Sequence, residues 1–174
     1  MPKIIENLRE KLLLEARRQV MEDGYSTMTI RSVAKACGVG VGTVYNYFES
    51  KDMLVASFML TDWMQCMSNI NEFCEVEGNP QAVLQCLYNE LKKFIDRYQV
   101  LFKDTNAGNS FSAAVSGRHV LLRNQIAAPL MQICEKQSKA EPKFLAEFVA
   151  ESMLTWTVAN RDFEEISQVL LQLF

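Results

Sequence analysis

Apolar residues along this chain recur at steps of three and four, the spacing of one face of an α-helix. The first such stretch carries Ile5, Leu8, Leu12, Ala16 and Val20, with charged residues between them. Gly24 follows at the place where such a helix would end. No segment of convincing length alternates apolar and polar residues, and the chain holds only 7 glycines and 4 prolines. The pattern predicts an all-α fold.

Two short helices joined by a glycine turn are predicted next. Thr29 is placed to cap a helix over residues 30–37. Gly38 can take the left-handed conformation with which helices commonly end. A third helix is predicted over residues 41–48, with Val44 and Phe48 facing the core. The remaining side chains of this helix then lie outward or on its flanks: Val41, Gly42, Thr43, Tyr45, Asn46 and Tyr47.

For the rest of the chain the pattern predicts five helical segments and a loop. Ser50 is a natural cap for a long fourth helix, and Asn79-Pro80 opens a fifth that continues to Tyr98. Residues 104–112 are predicted to form a loop, followed by a helical region over 117–137 that Pro129 should kink or split. The last two helices open at Pro142 and at Asp162, where Asp162 and Glu165 form an acidic variant of the capping box.

Composition restricts the function classes. A length of 174 residues allows one domain, or a small head with a larger body. No run of about 18 apolar residues and no leader pattern is present, so we expect a cytoplasmic protein without a membrane partner. Five widely spaced cysteines and one histidine, His119, offer neither a metal cluster nor a catalytic triad. We therefore expect no metal, no cofactor and no enzymatic activity.

The charge distribution is compatible with nucleic acid but does not suggest it by itself. Residues 1–56 carry 8 Lys or Arg and 7 Asp or Glu, a net charge of +1. The remainder carries 10 and 14, a net charge of −4. The asymmetry has the sign expected for an amino-terminal DNA-binding head, but it is small.

The outward residues of the third helix suit a DNA major groove. A helix that enters the groove needs small or polar groups near its amino terminus, and Gly40, Gly42 and Thr43 provide them. The hydroxyl groups of Tyr45 and Tyr47 can donate to phosphate oxygens.

Three further residues fit the same role. Thr29 and Lys51 stand at helix amino termini, where the helix dipole favours a phosphate. The amide of Asn46 matches the hydrogen-bonding edge of adenine.

These positions fall in one recognisable pattern. The segment Thr29-Ile-x-x-Val-Ala-x-x-Cys-Gly-Val-x-x-Gly-Thr-Val-Tyr-x-Tyr-Phe-x-Ser-Lys-Asp52 resembles the DNA-binding signature of the TetR family of bacterial transcriptional regulators. The resemblance covers roughly residues 9–56. It implies phosphate contacts by Thr29, Tyr45, Tyr47 and Lys51, and base contacts around Val41, Gly42, Thr43 and Asn46. A polar residue is common at position 41 in that family, so direct readout by Val41 would be apolar, for example against a thymine methyl.

The resemblance also implies two domains: a helix-turn-helix head over residues 1–50, joined by the fourth helix to a body over residues 51–174. The body would bind a small apolar or amphipathic ligand and dimerise. Candidate pocket residues, which could equally be ordinary core, are Met59, Trp63, Met67, Phe94, Tyr98, Phe102 and Phe111. Candidate dimer residues on the last two helices are Phe144, Phe148, Trp156, Ile166, Leu170 and Leu173.

The sequence thus predicts a homodimeric regulator that binds a palindromic double-stranded DNA operator, represses transcription, and is released by a small molecule. The alternative is a helical protein-interaction module, a corepressor or coactivator, that keeps the helix-turn-helix as a scaffold.

Overall fold

The computed structural model describes residues 7–103 and 119–174, and within these ranges it contains eight α-helices and no β-strand. The helices are α1 Leu8–Asp23, α2 Ile30–Ala36, α3 Val41–Tyr45, α4 Lys51–Val76, α5 Pro80–Lys103, α6 His119–Lys136, α7 Pro142–Val158 and α8 Phe163–Leu170. A 3₁₀ turn, Leu171–Leu173, follows α8. The all-α prediction is confirmed. None of the helices in these ranges has the length and apolar character needed to cross a bilayer.

Local capping groups set several helix boundaries where the sequence predicts them. Gly24 ends α1 at φ 87°, and its N–H donates to the Val20 carbonyl at 3.1 Å. Ser50 Oγ accepts the N–H of Met53 at 3.1 Å in the first turn of α4. Asn79 Oδ1 likewise accepts a backbone N–H at 2.9 Å at the start of α5. Each cap satisfies a group that the helix itself leaves without a partner.

Helix α3 ends at Tyr45, three residues before the predicted end at Phe48. The N–H groups of Tyr47 and Phe48 both lie 3.0 Å from the Val44 carbonyl, so the last turn tightens and the regular ladder stops. Asn46 consequently lies just beyond the helix as its capping residue.

The predicted capping box of the last helix is wrong, and of the two outcomes predicted for Pro129, a kink or a break, the break does not occur. The Asp162 side chain makes no capping bond, and Glu165 instead pairs with Arg161 at 3.6 Å, so the reciprocal bonds of a capping box are absent. Pro129 does not split α6, which is assigned as one helix across it. The proline removes a single N–H donor, while the buried side chains of Ile126 and Leu130 hold both sides of the helix in the core.

The described chain divides into two compact units. The first contains the residues up to Asp62, with Gln99 and the end of α5. Its core draws on α1 to α4: Leu12, Ala16, Val20, Met28, Val33, Ala34, Val44, Phe48, Leu54, Val55 and Phe58 are buried. The observed division therefore falls inside α4 rather than at residue 50, because Leu54 and Val55 complete the core of the first unit.

The second unit contains Trp63–Tyr98 and the residues from His119 onward. Helices α6 and α7, joined by a short connection, pack on each other extensively. Its buried core includes Ile70, Leu84, Leu87, Leu91, Ile126, Leu130, Ile133, Val149, Met153 and Leu170. The predicted loop over residues 104–112 lies outside the described residues, and α5 extends to Lys103, beyond its predicted end at Tyr98.

Candidate nucleic-acid interface

Thr29 caps α2 as predicted and forms a reciprocal capping box with Ser32. Thr29 Oγ1 accepts the Ser32 N–H at 3.0 Å, and Ser32 Oγ accepts the Thr29 N–H at 3.0 Å. The Thr29 side chain is exposed. Because its oxygen acts only as an acceptor in the cap, its O–H remains a donor that can bond a group outside the protein.

A left-handed glycine turns the chain from α2 into α3. Gly38 has φ 68°, its N–H donates to the Lys35 carbonyl at 3.1 Å, and the Val39 N–H reaches back to the Ala34 carbonyl at 2.9 Å. This is the closure expected for a helix that ends on glycine. The turn brings Gly40 to the start of α3.

Gly42 has no role that the fold explains. It is exposed within α3, and a Cβ atom added there would meet no atom within 4 Å. Gly42 is the second of the five residues of α3, and glycine within a helix costs up to roughly 0.5–1 kcal/mol relative to alanine. A Cβ on Gly40 would likewise meet only Thr43 Oγ1, at an ordinary 3.8 Å. The absence of side chains here leaves the backbone of α3 open to close approach by another molecule.

The aromatic end of α3 faces solvent. Val44 and Phe48 are buried, as predicted, while Tyr45 is 52% exposed and Tyr47 46% exposed. Asn46, between them, is also exposed. We call the residues of this face the α3 surface: Gly40, Val41, Gly42, Thr43, Tyr45, Asn46 and Tyr47. Val41 and Thr43 are half-buried, and the others are exposed.

Lys51 begins α4 and is already engaged within the protein. Its ammonium lies 4.0 Å from the centre of the Tyr25 ring and donates to the Tyr25 carbonyl. The Tyr25 hydroxyl in turn donates to the carboxylate of Asp52. These contacts attach the first turn of α4 to the segment between α1 and α2. A phosphate at this position would have to share the ammonium with Tyr25.

Comparison with known proteins identifies this head. Residues 12–58 match the model of bacterial regulatory proteins of the tetR family. Over these residues the head of this chain is similar to the DNA-binding head of tetR-family regulators.

Several individual relatives show the same likeness. UidR of Escherichia coli K12, an HTH-type transcriptional regulator, is 29% identical over 70 residues, which cover 40% of this chain and 35% of UidR. The HTH-type transcriptional regulator SAR0097 of Staphylococcus aureus is 38% identical over 99 residues, 56% of this chain and 51% of that protein. The chain therefore spans about a third to a half of the length of these curated relatives.

A solved structure extends the likeness in fold to nearly the whole chain. FadR of Thermus thermophilus, a TetR-family transcriptional repressor crystallised with lauroyl-CoA, superposes with a TM-score of 0.62. The match covers 95% of this chain and 92% of that one, at 21% sequence identity. At this identity, the agreement concerns the fold.

The described side chains among the predicted pocket residues are packed as core in both units. Met59 is buried in the first unit. In the second, the rings of Trp63 and Phe94 meet edge-on at 5.3 Å, and those of Phe94 and Tyr98 lie 5.0 Å apart. Met67 is also buried there. The side chain of Phe102 and all of Phe111 lie outside the described residues.

The residues predicted to form a dimer interface separate into two groups. Phe144 is 69% exposed and Phe148 47% exposed, and Trp156 and Leu173 are half-buried. Ile166 and Leu170, however, are buried within the second unit. These two lie four residues apart on the inward face of α8 and pack within their own chain, so a contact with a partner stays a prediction for them.

Three exposed features near the end of the chain were missed by the sequence prediction. Val158 is 62% exposed and Val169 is 53% exposed. A surface depression of about 330 Å³ is lined by Trp156, Arg161, Glu165, Ile166 and Val169. Exposed apolar residues close to a depression are typical of a surface that is covered in an assembly.

Three of the cysteines lie in the protein core, and the histidine pairs with a carboxylate. Cys66, Cys74 and Cys134 are buried, and burial raises the pKa of the Cys66 thiol to about 12 and that of Cys74 to about 11. His119 Nε2 lies 2.8 Å from Glu151 Oε1. Among the described residues, no group of three or more His, Cys, Asp or Glu side chains could hold a metal ion.

Gln19, Ser32 and Tyr25 also organise the head, although the sequence prediction named none of them as functional. Gln19 lies three residues after Ala16, on the face of α1 that the apolar spacing marks as inward. A buried polar residue on such a face was the available signal, since it must find a hydrogen-bonding partner.

Proposed function

We propose that this chain is a homodimeric transcriptional regulator that acts in the cytoplasm, binds a palindromic DNA operator through its head, and represses transcription until a small molecule releases it. The observation that carries the proposal is the α3 surface. An exposed Tyr45-Asn46-Tyr47 run follows a glycine that the fold does not need, in a head of the TetR family.

The proposed DNA contacts fall into two classes. The hydroxyl groups of Thr29, Tyr45 and Tyr47 donate to phosphate oxygens, and Lys51 supplies a positive charge. These contacts set the position of the head on the duplex without reading sequence. Bases are read by the rest of the α3 surface: Gly40 and Gly42 allow close approach, and Val41, Thr43 and Asn46 present side chains to base edges.

Dimerisation would place two heads on one operator. Two recognition helices on one face of a duplex lie about 34–36 Å apart, one helical turn. The exposed Phe144, Phe148 and Val158 on α7, with Val169 of α8 at the depression, support an apolar interface formed by α7 and α8. A symmetric dimer of this kind matches a palindromic operator.

The proposed ligand is apolar or amphipathic and binds in the body. The aromatic residues packed in and against the core of the second unit support this chemistry, as does the lauroyl-CoA held by the structurally similar Thermus thermophilus FadR. A coupling free energy of about 1–3 kcal/mol between ligand and operator would change DNA affinity roughly 5- to 150-fold.

Fluorescence anisotropy tests the proposal. The purified protein is titrated into labelled duplexes that tile the DNA around its own gene, across a salt series with nonspecific competitor. We expect tight binding to one palindromic segment and a steep loss of affinity as salt rises. Binding to a protein partner without any salt-dependent DNA affinity would instead favour the protein-interaction module. Lauroyl-CoA is the first ligand probe, added to the preformed DNA complex.

A further inference from the structure

Gln19 is a buried polar residue in the core of the head. Its side chain is only 6% exposed and lies on the same face of α1 as Ala16 and Val20, both fully buried. A buried amide costs free energy unless its donors and acceptor are bonded. An apolar residue would pack here at lower cost, so the hydrogen bonds of Gln19 are the feature to explain.

The two ends of the Gln19 amide bond different helices. Nε2 donates to Glu15 Oε1 at 2.7 Å within α1, and Oε1 accepts the hydroxyl of Ser32 on α2 at 2.5 Å. Glu15 also accepts from Arg18 at 2.8 Å, and the hydrogen bonds from Arg18 and Gln19 lower the pKa of Glu15. An ionised carboxylate is an acceptor only, so it fixes the NH₂ end of the amide toward itself and the carbonyl end toward Ser32.

Ser32 passes this constraint to Thr29. The two residues are tied by both bonds of the capping box, each at 3.0 Å, and Ser32 Oγ also lies 2.8 Å from the Thr29 carbonyl. A continuous series of hydrogen bonds therefore runs from Gln19 in α1 to the exposed Thr29 at the start of α2. Thr29 Oγ1 is held as an acceptor of the Ser32 N–H, which leaves its O–H as a donor for a group outside the protein.

We infer that Gln19 is a positioning residue for DNA binding: acting through Ser32, it holds the Thr29 hydroxyl where it donates to a phosphate. The inference rests on the proposed function, in which Thr29 contacts the operator backbone. It assigns to a buried residue of α1, remote from the α3 surface, part of the affinity for DNA.

A double-mutant cycle on operator affinity tests the inference, with wild type measured first. Gln19→Met keeps the volume and removes both hydrogen bonds, and Thr29→Val removes the hydroxyl at constant shape. We expect Gln19→Met to weaken operator binding by roughly 5- to 150-fold, one hydrogen bond in each of two heads. If Gln19 acts through Thr29, Gln19→Met on the Thr29→Val background should weaken binding no further.

Three results would overturn the inference. Operator affinity unchanged in folded Gln19→Met would leave Gln19 a purely structural role. Additive losses in the double variant would show that it does not act through Thr29. Wild type that binds no duplex would remove the proposed function itself, which distinguishes that failure from the other two.

A second pair of variants decides the question if Gln19→Met does not fold by circular dichroism. Ser32→Ala removes the link between Gln19 and Thr29, whereas Ser32→Thr keeps a hydroxyl in that place. We expect the threonine variant to bind the operator within about twofold of wild type and the alanine variant to lose roughly 5- to 150-fold. Equal affinities for the two variants would overturn the inference.

Discussion

Replacing Gly42 by alanine should make the protein more stable and a worse DNA binder. The added Cβ meets no atom within 4 Å, and position 42 is a helical residue without a positive φ. Alanine is favoured over glycine in a helix interior by roughly 0.5–1 kcal/mol. For a chain of this size, 1 kcal/mol raises the melting temperature by about 2–4 °C. We therefore expect a rise of about 1–4 °C in Tm.

The effect on DNA binding should have the opposite sign. If the backbone of α3 approaches base edges or phosphates at Gly42, the added methyl group occupies the space of the partner. Forcing a methyl group into a well-packed contact costs typically about 1–3 kcal/mol. Because two heads bind one operator, the binding free energy should fall by about 2–6 kcal/mol, which corresponds to a Kd roughly 30 to 20,000 times higher.

Thermal melts by circular dichroism and anisotropy titrations on the same operator measure the two effects. Gly38→Ala is the matched control, because Gly38 has φ 68° and a left-handed alanine costs about 1–2 kcal/mol. That variant should lose stability, and any loss of affinity should follow its loss of fold. A Gly42→Ala protein that melts higher and binds the operator as tightly as wild type would refute the proposed close approach of α3 to DNA. A lower Tm would refute the argument from free space around Gly42.

Four further predictions address other parts of the molecule. Lys51→Met should lower Tm by about 2–4 °C, because the contact between the ammonium and the Tyr25 ring is lost. It should also reduce the slope of log affinity for the operator against log salt concentration by about 0.9 per head. An unchanged slope would show that Lys51 only stabilises the fold. Asn46→Ala should relax discrimination at one base position of each half-site by about 1–3 kcal/mol, and equal weakening on every sequence would contradict base readout. Phe148→Asp should shift the equilibrium from dimer toward monomer, as measured by light scattering. The Tm of the monomer should not change, because Phe148 is 47% exposed in the single chain. An intact dimer would exclude Phe148 from the interface. Burial raises the thiol pKa of Cys66 to about 12 and that of Cys74 to about 11, so at pH 8 roughly one Cys66 side chain in ten thousand and one Cys74 side chain in a thousand should be ionised. Mass spectrometry should therefore find that both react slowly with iodoacetamide until the protein is unfolded.

The parts of the head that could be predicted from sequence are those fixed by local chemistry. Thr29, Gly38 and Ser50 act on backbone groups within a few residues of themselves, so their roles follow from residue type and position. Tyr25 and Gln19 could not be found in this way. Tyr25 bonds Asp52 and Lys51 across 27 and 26 residues, and Gln19 bonds Ser32 across 13. Such pairs are specified by how the helices pack.

The last helix shows a second limit of periodicity. Ile166 and Leu170 are buried, whereas Val169, equally apolar and adjacent to Leu170, is 53% exposed. Apolar residues on more than one face of a helix indicate that more than one face is covered. The pattern does not tell which face packs against the same chain and which packs against a partner. Only the packing of α8 in the second unit shows which of its apolar residues face the core.

The ligand-binding part of the proposal is harder to predict from sequence than the DNA-binding part for a related reason. Trp63, Phe94 and Tyr98 are the residue types that line apolar pockets, yet here their rings contact one another at 5.0–5.3 Å. A pocket is the volume that such side chains leave unfilled, and that volume depends on helix spacing rather than on composition. Trp63 also donates its indole N–H to Gln125 Oε1 at 2.7 Å. A ligand that entered this cluster would have to separate the rings and replace or retain that bond, so it must offer an apolar body and, if the bond is broken, an acceptor for the indole. An acyl chain with a polar end group meets both requirements, which makes the amphipathic class the first to test.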